Sequence, residues 1–404
     1  MPQQPAAHHD LPAPDVLSPA ALGPVTLRNR TIKAATSEGL APQGLVTDEL
    51  IGFHRAMAAG GVGMSTLAYC AVSPDGRSAR GQIVMRREAL HGLRRLTDAV
   101  HAEGAAVSAQ LGHAGPVGDV KANGSPALAP GKVFSLVNLR NSKPATREDI
   151  ERITQAHVDA ALLAEEAGFD AVELHMGHNY FISSFLSPKF NKRTDEYGGP
   201  LVHRARIARD VARRVSDAVG GRLAVIAKLN MDDGVPGGIW LDEALETARL
   251  LDEDGHLDAL ELTVGSSVHN QMYLFRGDAP VREFAAVMPQ PVKLGVRLFG
   301  KSALREYPYR DLFMLEQARQ FTGVVKTPLI LLGGVTDRAG MDRAMAEGFG
   351  FVALGRALLR EPDLINQIAR DASKKSLCIH CNKCVPTVYT GTRCVLTEAP
   401  GVKQ

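Results

Sequence analysis

No apolar run in this sequence reaches the roughly 18–20 residues needed to cross a bilayer, so no segment reads as a membrane span. The N-terminal stretch MPQQPAAHHDLPAPD lacks a basic segment followed by an apolar one. No secretory signal is read there, and a cytoplasmic location is expected. A charge excess is missing too: the formal net charge is +2 over 404 residues, which gives no reason to expect nucleic acid as a partner. Basic groups such as RREALHGLRR read as solvated helix faces. Cysteine is scarce and uneven. Cys70 stands alone, while Cys378, Cys381, Cys384 and Cys394 crowd the C-terminal end. In a reducing compartment such a cluster more often binds metal than forms disulfides. An early GxGxxG fingerprint of a dinucleotide-binding sheet is also absent.

What is present is a regular alternation. Apolar residues make up 45% and charged residues 22%, close to globular averages and ample for a buried core. After a Pro- and Ala-rich start, expected to form a loose arm over residues 1–20, eight short apolar runs recur: TIKAAT (31–36), GMSTLAY (63–69), AAVSAQL (105–111), DAVELH (170–175), LAVIAKL (223–229), DALELTV (258–264), PLILL (328–332) and FVAL (351–354). Each is too short for a helix and lacks clean alternation, as strands buried on both faces do. Longer amphipathic stretches separate them, several ending in Gly, a helix-stop signal. Eight such units predict a (β/α)8 TIM barrel over residues 21–375, with a doubly wound sheet as the alternative. Long insertions follow strands three (Gly112 to about Ala145) and six (Gly265 to about Tyr309). Loops of that length in a compact domain are usually functional or disordered. A cysteine-rich tail occupies residues 376–404.

In a barrel, residues at the C-terminal ends of strands read as ligand-binding or catalytic. Here they are Ala34, Ala35, Thr36 and Ser37 after strand one, Gln110 on strand three, His175 on strand four and Lys228 on strand five. Gly333 and Gly334 follow strand seven, and Gly355 and Arg356 follow strand eight. Paired glycines, a helix start and a guanidinium suit a phosphate, against the alternative of ordinary tight turns. A lysine at the end of an apolar strand either faces an anion or snorkels to solvent. Gln110 offers a donor and an acceptor to a heterocycle edge, or is a satisfied core amide. His175 and His178 with Tyr180 suit two donors and an acid. Alternatives are a metal site that lacks a third ligand or two satisfied loop histidines. The tail spacing C-x2-C-x2-C-x9-C suits a tetrahedral zinc or a 4Fe–4S cluster, or leaves four free thiols.

These pieces together resemble the Old Yellow Enzyme family of NADH:flavin oxidoreductases. The resemblance is carried by LRNRTIKAAT, GGVGMSTLAYCAVSPDGR, AQLGHAG, HMGHNYFISSFLSPKFNKRTDEYGG and FVALGRALLREPDL. It implies a barrel holding FMN noncovalently, reduced by NAD(P)H and passing hydride to the C=C bond of a small α,β-unsaturated carbonyl substrate. It places Ala34, Ala35, Thr36 and Ser37 along the flavin and Gln110 at its pyrimidine edge. Lys228 would stand near N1, where relatives carry Arg, and Gly333, Gly334, Gly355 and Arg356 would hold the phosphate. His175 and His178 would bind the substrate carbonyl oxygen, with Tyr180 as proton donor. The longer members, resembling 2,4-dienoyl-CoA reductase and trimethylamine dehydrogenase, imply a 4Fe–4S cluster at Cys378, Cys381, Cys384 and Cys394, with zinc as the alternative. No second flavin domain is read after the cysteines.

The sequence departs from the family pattern at Asn179, where Gly is usual, and at Tyr69, where a small residue is usual. Because Asn179 precedes Tyr180, the departure bears on the aim of the proton donor. The readings left open are a demethylase-like flavin dehydrogenase passing electrons through the tail, a flavin-free phosphate-binding isomerase or aldolase, and a metal-binding module. Neither the oligomeric state, a homo-oligomer included, nor NADH against NADPH is set by any local motif.

Overall fold

A computed structural model describes residues 13–135 and 138–397. Eight parallel strands close on themselves: β1 (Thr31–Lys33), β2 (Met64–Ala71), β3 (Ala106–Gly112), β4 (Ala171–Met176), β5 (Ala224–Asn230), β6 (Ala259–Thr263), β7 (Leu329–Leu332) and β8 (Phe351–Leu354). Each pairs with the next, and β8 pairs with β1 to complete the barrel. All eight coincide with the apolar runs. Nearly every residue of these strands is buried, because the inner face meets the barrel lumen and the outer face meets helices.

The helices follow from local signals. Helix α1 (Asp48–Ala59) is capped by Thr47, whose side chain accepts from the Leu50 N–H. Helix α2 (Leu90–His101) follows β2. Helix α3 (Arg147–Glu166) opens with a reciprocal capping box between Thr146 and Asp149. Helices α4 (Arg206–Val219) and α5 (Leu241–Asp254) end at Gly220 and Gly255, both left-handed.

Two apolar layers result. The lumen is filled by Ile32, Met64, Ala171, Ile226, Ile330 and Phe351, and its floor is closed by Leu22 and Leu27 from a hairpin (Ala20–Leu22 with Val25–Leu27). A larger layer packs the helices on the barrel. Fully burying one Leu or Phe of this kind is worth about 1.5–3 kcal/mol. Val16 is fully buried and its carbonyl accepts from the Arg30 N–H. Of the arm expected over residues 1–20, Val16 and Ala20 are buried and residues 13–15 and 19 are exposed, while residues 1–12 lie outside the described residues.

The two insertions carry structure of their own. After β3 come a short helix (Val120–Asn123) and two small strand pairs. After β6 come three helices, Gln271–Phe275, Val281–Val287 and Val292–Ala303. The tail lies against the exit of β1: Thr392 donates from its N–H to the Glu38 carbonyl at 2.7 Å and from its hydroxyl to the Ser37 carbonyl at 2.8 Å.

Candidate active site

Side chains alternate along a strand, so Glu173 and His175 of β4 share the lumen face. The register aligns Glu173 with Gln110 on β3, His175 with Lys228 on β5, and Lys228 with Glu261 on β6. That register builds a buried polar layer beneath the barrel mouth. Lys228 Nζ lies 3.0 Å from Glu173 Oε1 and 2.8 Å from Glu261 Oε1. Gln110 Nε2 donates to the same Glu173 oxygen. Lys228 thus has its anion, as burial demands, but both partners are carboxylates of the protein. Burial works against its charge, yet the two carboxylates outweigh burial and hold its pKa above the usual value. Burial pushes Glu261 up to about 8 despite Lys228. Glu173 and Glu261 thus hold Lys228, the residue that the sequence reading sets beside the flavin. Neither glutamate is among the residues the sequence reading singled out, although an acid inside each apolar run (DAVELH, DALELT) is the signal that could have found them.

The histidines stand directly above. Gly177 N–H donates to His175 Nδ1 at 3.3 Å, which leaves the ring hydrogen on Nε2. His178 is held twice: its N–H donates to Asn230 Oδ1 at 3.0 Å, and its Nε2 lies 3.0 Å from Thr263 Oγ1. The ring centroids of His175 and His178 are 5.1 Å apart, and those of His175 and Tyr180 are 4.4 Å apart. Burial, then the charges of neighbouring groups, lowers His175 well below the usual imidazole value. Burial and Lys228 bring His178 to about 3. Both rings are therefore neutral donors at physiological pH. Burial raises Tyr180, which keeps its proton.

Asn179 resolves its own departure. His178 and Asn179 both have left-handed backbones, with φ of 59° and 58°. Asn is among the side chains best suited to that region, so it makes the turn that glycine would make. Tyr69 packs against Tyr180 and His175, with centroids at 5.4 and 6.1 Å. Its hydroxyl donates to the Gly76 carbonyl at 3.3 Å, so Tyr69 is a wall of the site.

The β1 exit rests on a second buried ion pair. Lys33 bonds Glu38 Oε1, and Glu38 Oε2 accepts from the Ala68 N–H at 2.7 Å. Burial opposes the Glu38 charge, but Lys33 and His54 hold it down to about 2. This clamp fixes the Ala34-Ala35-Thr36-Ser37 turn, where Ser37 has φ of 54°. The sequence reading missed it, because Lys33 and Glu38 flank the turn without entering it.

At the other side of the mouth, Gly333 and Gly334 have φ of 99° and 83°. A Cβ built on Gly355 would meet nothing nearer than Thr36 Cγ2 at 3.7 Å. Open backbone there and positive-φ glycines alongside fit a phosphate, so the donor set of this mouth fits FMN. Arg356 lies beside it, but its Nη1 already donates to the Arg276 carbonyl at 2.8 Å and to Asn382 Oδ1. Cys378, Cys381, Cys384 and Cys394 line one pocket with Arg356. Among the described residues, however, no three or more Cys, His, Asp or Glu side chains are gathered as a metal-ligand set. Burial pushes the Cys384 thiol up to about 12.

A parallel barrel with neutral imidazole donors and open glycine backbone at its mouth has the architecture of an enzyme that acts on a small molecule. Residues 15–281 match the NADH:flavin oxidoreductase / NADH oxidase family, and the chain belongs to that family. It is 50% identical over 359 residues to a 4,4'-dithiodibutanoate disulfide reductase of Rhodococcus erythropolis, covering 89% of each chain. Among solved structures it resembles 2-naphthoyl-CoA reductase, with a TM-score of 0.80, 24% identity, and coverage of 93% of this chain and 55% of that one. It also resembles the old yellow enzyme homologue from Zymomonas mobilis, with a TM-score of 0.71, 21% identity, and coverage of 91% and 96%. These two likenesses are of fold. Among the described residues no helix is long and apolar enough to cross a membrane. Membership of the family implies FMN and a nicotinamide reductant.

Proposed function

We propose that this protein reduces the activated C=C bond of small α,β-unsaturated carbonyl compounds at the expense of NAD(P)H. The observation that carries the reading is the cluster of His175, His178 and Tyr180 at the end of β4, with His175 in ring contact with both others. Ala34, Ala35, Thr36, Ser37, Gln110, Gly333, Gly334, Gly355 and Arg356 are the residues that would hold FMN, with Lys228 beneath them. When bound, FMN supplies two-electron hydride chemistry.

The side chains divide the remaining work. As reduction proceeds, negative charge grows on the substrate carbonyl oxygen. His175 offers Nε2–H to that oxygen, and His178 offers its second nitrogen, the one not engaged by Thr263. Losing one such donor costs on the order of 3 kcal/mol of transition-state stabilisation. Because both rings are neutral, they are poor acids and bind the charge without quenching it. Protonation of the α-carbon falls to Tyr180, whose hydroxyl keeps its proton.

A second reading is favoured by the relative from Rhodococcus erythropolis, named as a disulfide reductase and 50% identical to this chain. Two neutral N–H donors and a phenol serve a departing thiolate equally well: a hydride equivalent and a proton convert one disulfide into two thiols.

One anaerobic experiment tests both. The photoreduced holoenzyme is mixed with 2-cyclohexenone or with 4,4'-dithiodibutanoate and flavin reoxidation is followed. Fast reoxidation by the enone, slowed roughly 100-fold in His178→Ala with little change in reduction by NAD(P)H, supports the first reading. Reoxidation by the disulfide alone would replace it with the second.

A further inference from the structure

Behind Tyr180 a chain of hydrogen bonds runs to Ser37 through Ser78 and Gln82, two residues with no part in binding substrate or cofactor in the reading above. The Tyr180 hydroxyl lies 3.3 Å from Ser78 Oγ. Ser78 Oγ lies 2.8 Å from Gln82 Nε2, and Gln82 Nε2 lies 3.1 Å from Ser37 Oγ. Gln82 is 2% exposed, and its orientation is set by chemistry. Its Oε1 faces the backbone N–H groups of Ser78 and Ala79 at 2.7 and 3.2 Å. Backbone N–H groups only donate, so the oxygen of the amide must lie on that side and the NH2 on the other.

The direction of both Gln82 amide bonds then follows. Both hydrogens of the Gln82 amide are spent, one on Ser78 and one on Ser37. Ser78 therefore accepts from Gln82, and its single hydrogen is left for Tyr180. When Ser78 gives that hydrogen to the Tyr180 oxygen, 3.3 Å away, the Tyr180 O–H is released toward the cluster with His175 and His178. From the burial and fixed orientation of Gln82 we infer that Ser78 donates to Tyr180 and that Ser78 and Gln82 are positioning residues for proton transfer. They aim the Tyr180 hydrogen at the substrate and stabilise the phenolate left behind. The inference rests on the reading of Tyr180 as the acid.

The step balances. Hydride adds to the β-carbon, and the π electrons pass to the enolate. The Tyr180 O–H bond breaks as the α-carbon to hydrogen bond forms. The phenolate so produced accepts a hydrogen bond from Ser78 and regains a proton from water. Chains of this kind strengthen one another when every member is satisfied, and here Gln82 uses two donors and two acceptances.

The test follows oxidation of photoreduced holoenzyme by 2-cyclohexenone in H2O and in D2O, with flavin absorbance as the check on loading. Tyr180→Phe is expected to slow it by roughly 10²–10⁴-fold, the usual share of a general acid. Ser78→Ala is expected to slow it on the order of tenfold and to raise the solvent isotope effect, because proton transfer becomes the slow step. Ser78→Thr, which keeps the hydroxyl, restores both. Gln82→Glu behaves like Ser78→Ala, since a carboxylate accepts where the amide donated. Wild-type rates and isotope effects in Ser78→Ala and Gln82→Glu, beside a slow Tyr180→Phe, would overturn the relay and leave the acid role standing. An equal loss in Ser78→Ala and Ser78→Thr would overturn it as well. A fast Tyr180→Phe would overturn the acid role and the relay with it.

Discussion

At the residue scale, Lys228 shows how a barrel accommodates a buried cation. Its ammonium is 2.8–3.0 Å from two carboxylates on the strands to either side, so removing it strands Glu173 in the lumen. Lys228→Ala is expected to destabilise the fold by about 3–5 kcal/mol, the usual cost of breaking a buried pair, read from urea unfolding. Lys228→Ala combined with Glu173→Gln should recover a large part of that loss, because the orphaned charge goes with its partner. No recovery in the double variant would mean that the pair is not what holds this layer.

Asn179 makes a second residue-scale case. At φ of 58° a β-branched side chain is strained, whereas Gly is not. Asn179→Gly is expected to stay within about 1 kcal/mol of the parent in urea unfolding, while Asn179→Val loses about 1–3 kcal/mol. Equal stability of the two variants would show that the left-handed turn is not what selects Asn there.

At the element scale, helix α3 is the longest helix on the barrel, and its start is set by the reciprocal Thr146–Asp149 box. Thr146→Ala should cost about 1 kcal/mol. The side-chain bonds of the cap run between Thr146 and Asp149 and involve neither histidine, so the reoxidation rate of the reduced enzyme should stay at the parent value. A large loss of rate with little loss of stability would contradict this separation. The eight strands and main helices were legible because apolar runs and glycine stops are local signals. The helices after β6 were not, since Val281–Val287 and Val292–Ala303 sit in an insertion whose length alone suggests either function or disorder. Their existence depends on packing against each other and the tail, which no local period reports.

At the scale of the whole molecule, buried titratable groups set the response to pH. His175, His178 (about 3) and His157 (about 4) stay neutral in the fold, chiefly through burial, and titrate near 6.5 when unfolded. Their contribution is complete above pH ~6.5 and is lost as pH falls, by about 1.4 kcal/mol per unit for each. Glu261 works the other way. Raised to about 8, it contributes fully below its unfolded value near 4.5 and loses that contribution as pH rises to about 8. Stability should therefore climb steeply from pH 5 to a maximum near ~6.5 and decline gently toward ~8. Urea midpoints across that range check the shape, and a profile that keeps rising past pH ~7.5 would contradict the placement of Glu261. Glu38, held down to about 2, adds to the loss only on the acid side of about 4.5.

The sequence by itself determined the barrel, the family and the histidine pair. Eight apolar runs, paired glycines and the segment from His175 to Tyr180 are all written in contiguous residues. The tertiary structure alone decided which groups those residues meet. Lys228 meets Glu173 and Glu261 because neighbouring strands lie in that register. Tyr180 meets Ser78 because the segment after β2 folds across the end of β4. The four cysteines, spread over 17 residues of sequence, share a pocket with Arg356. Periodicity and motif spacing act along the chain, whereas charge, proton direction and ligand geometry depend on distances between segments that only the closed barrel brings together.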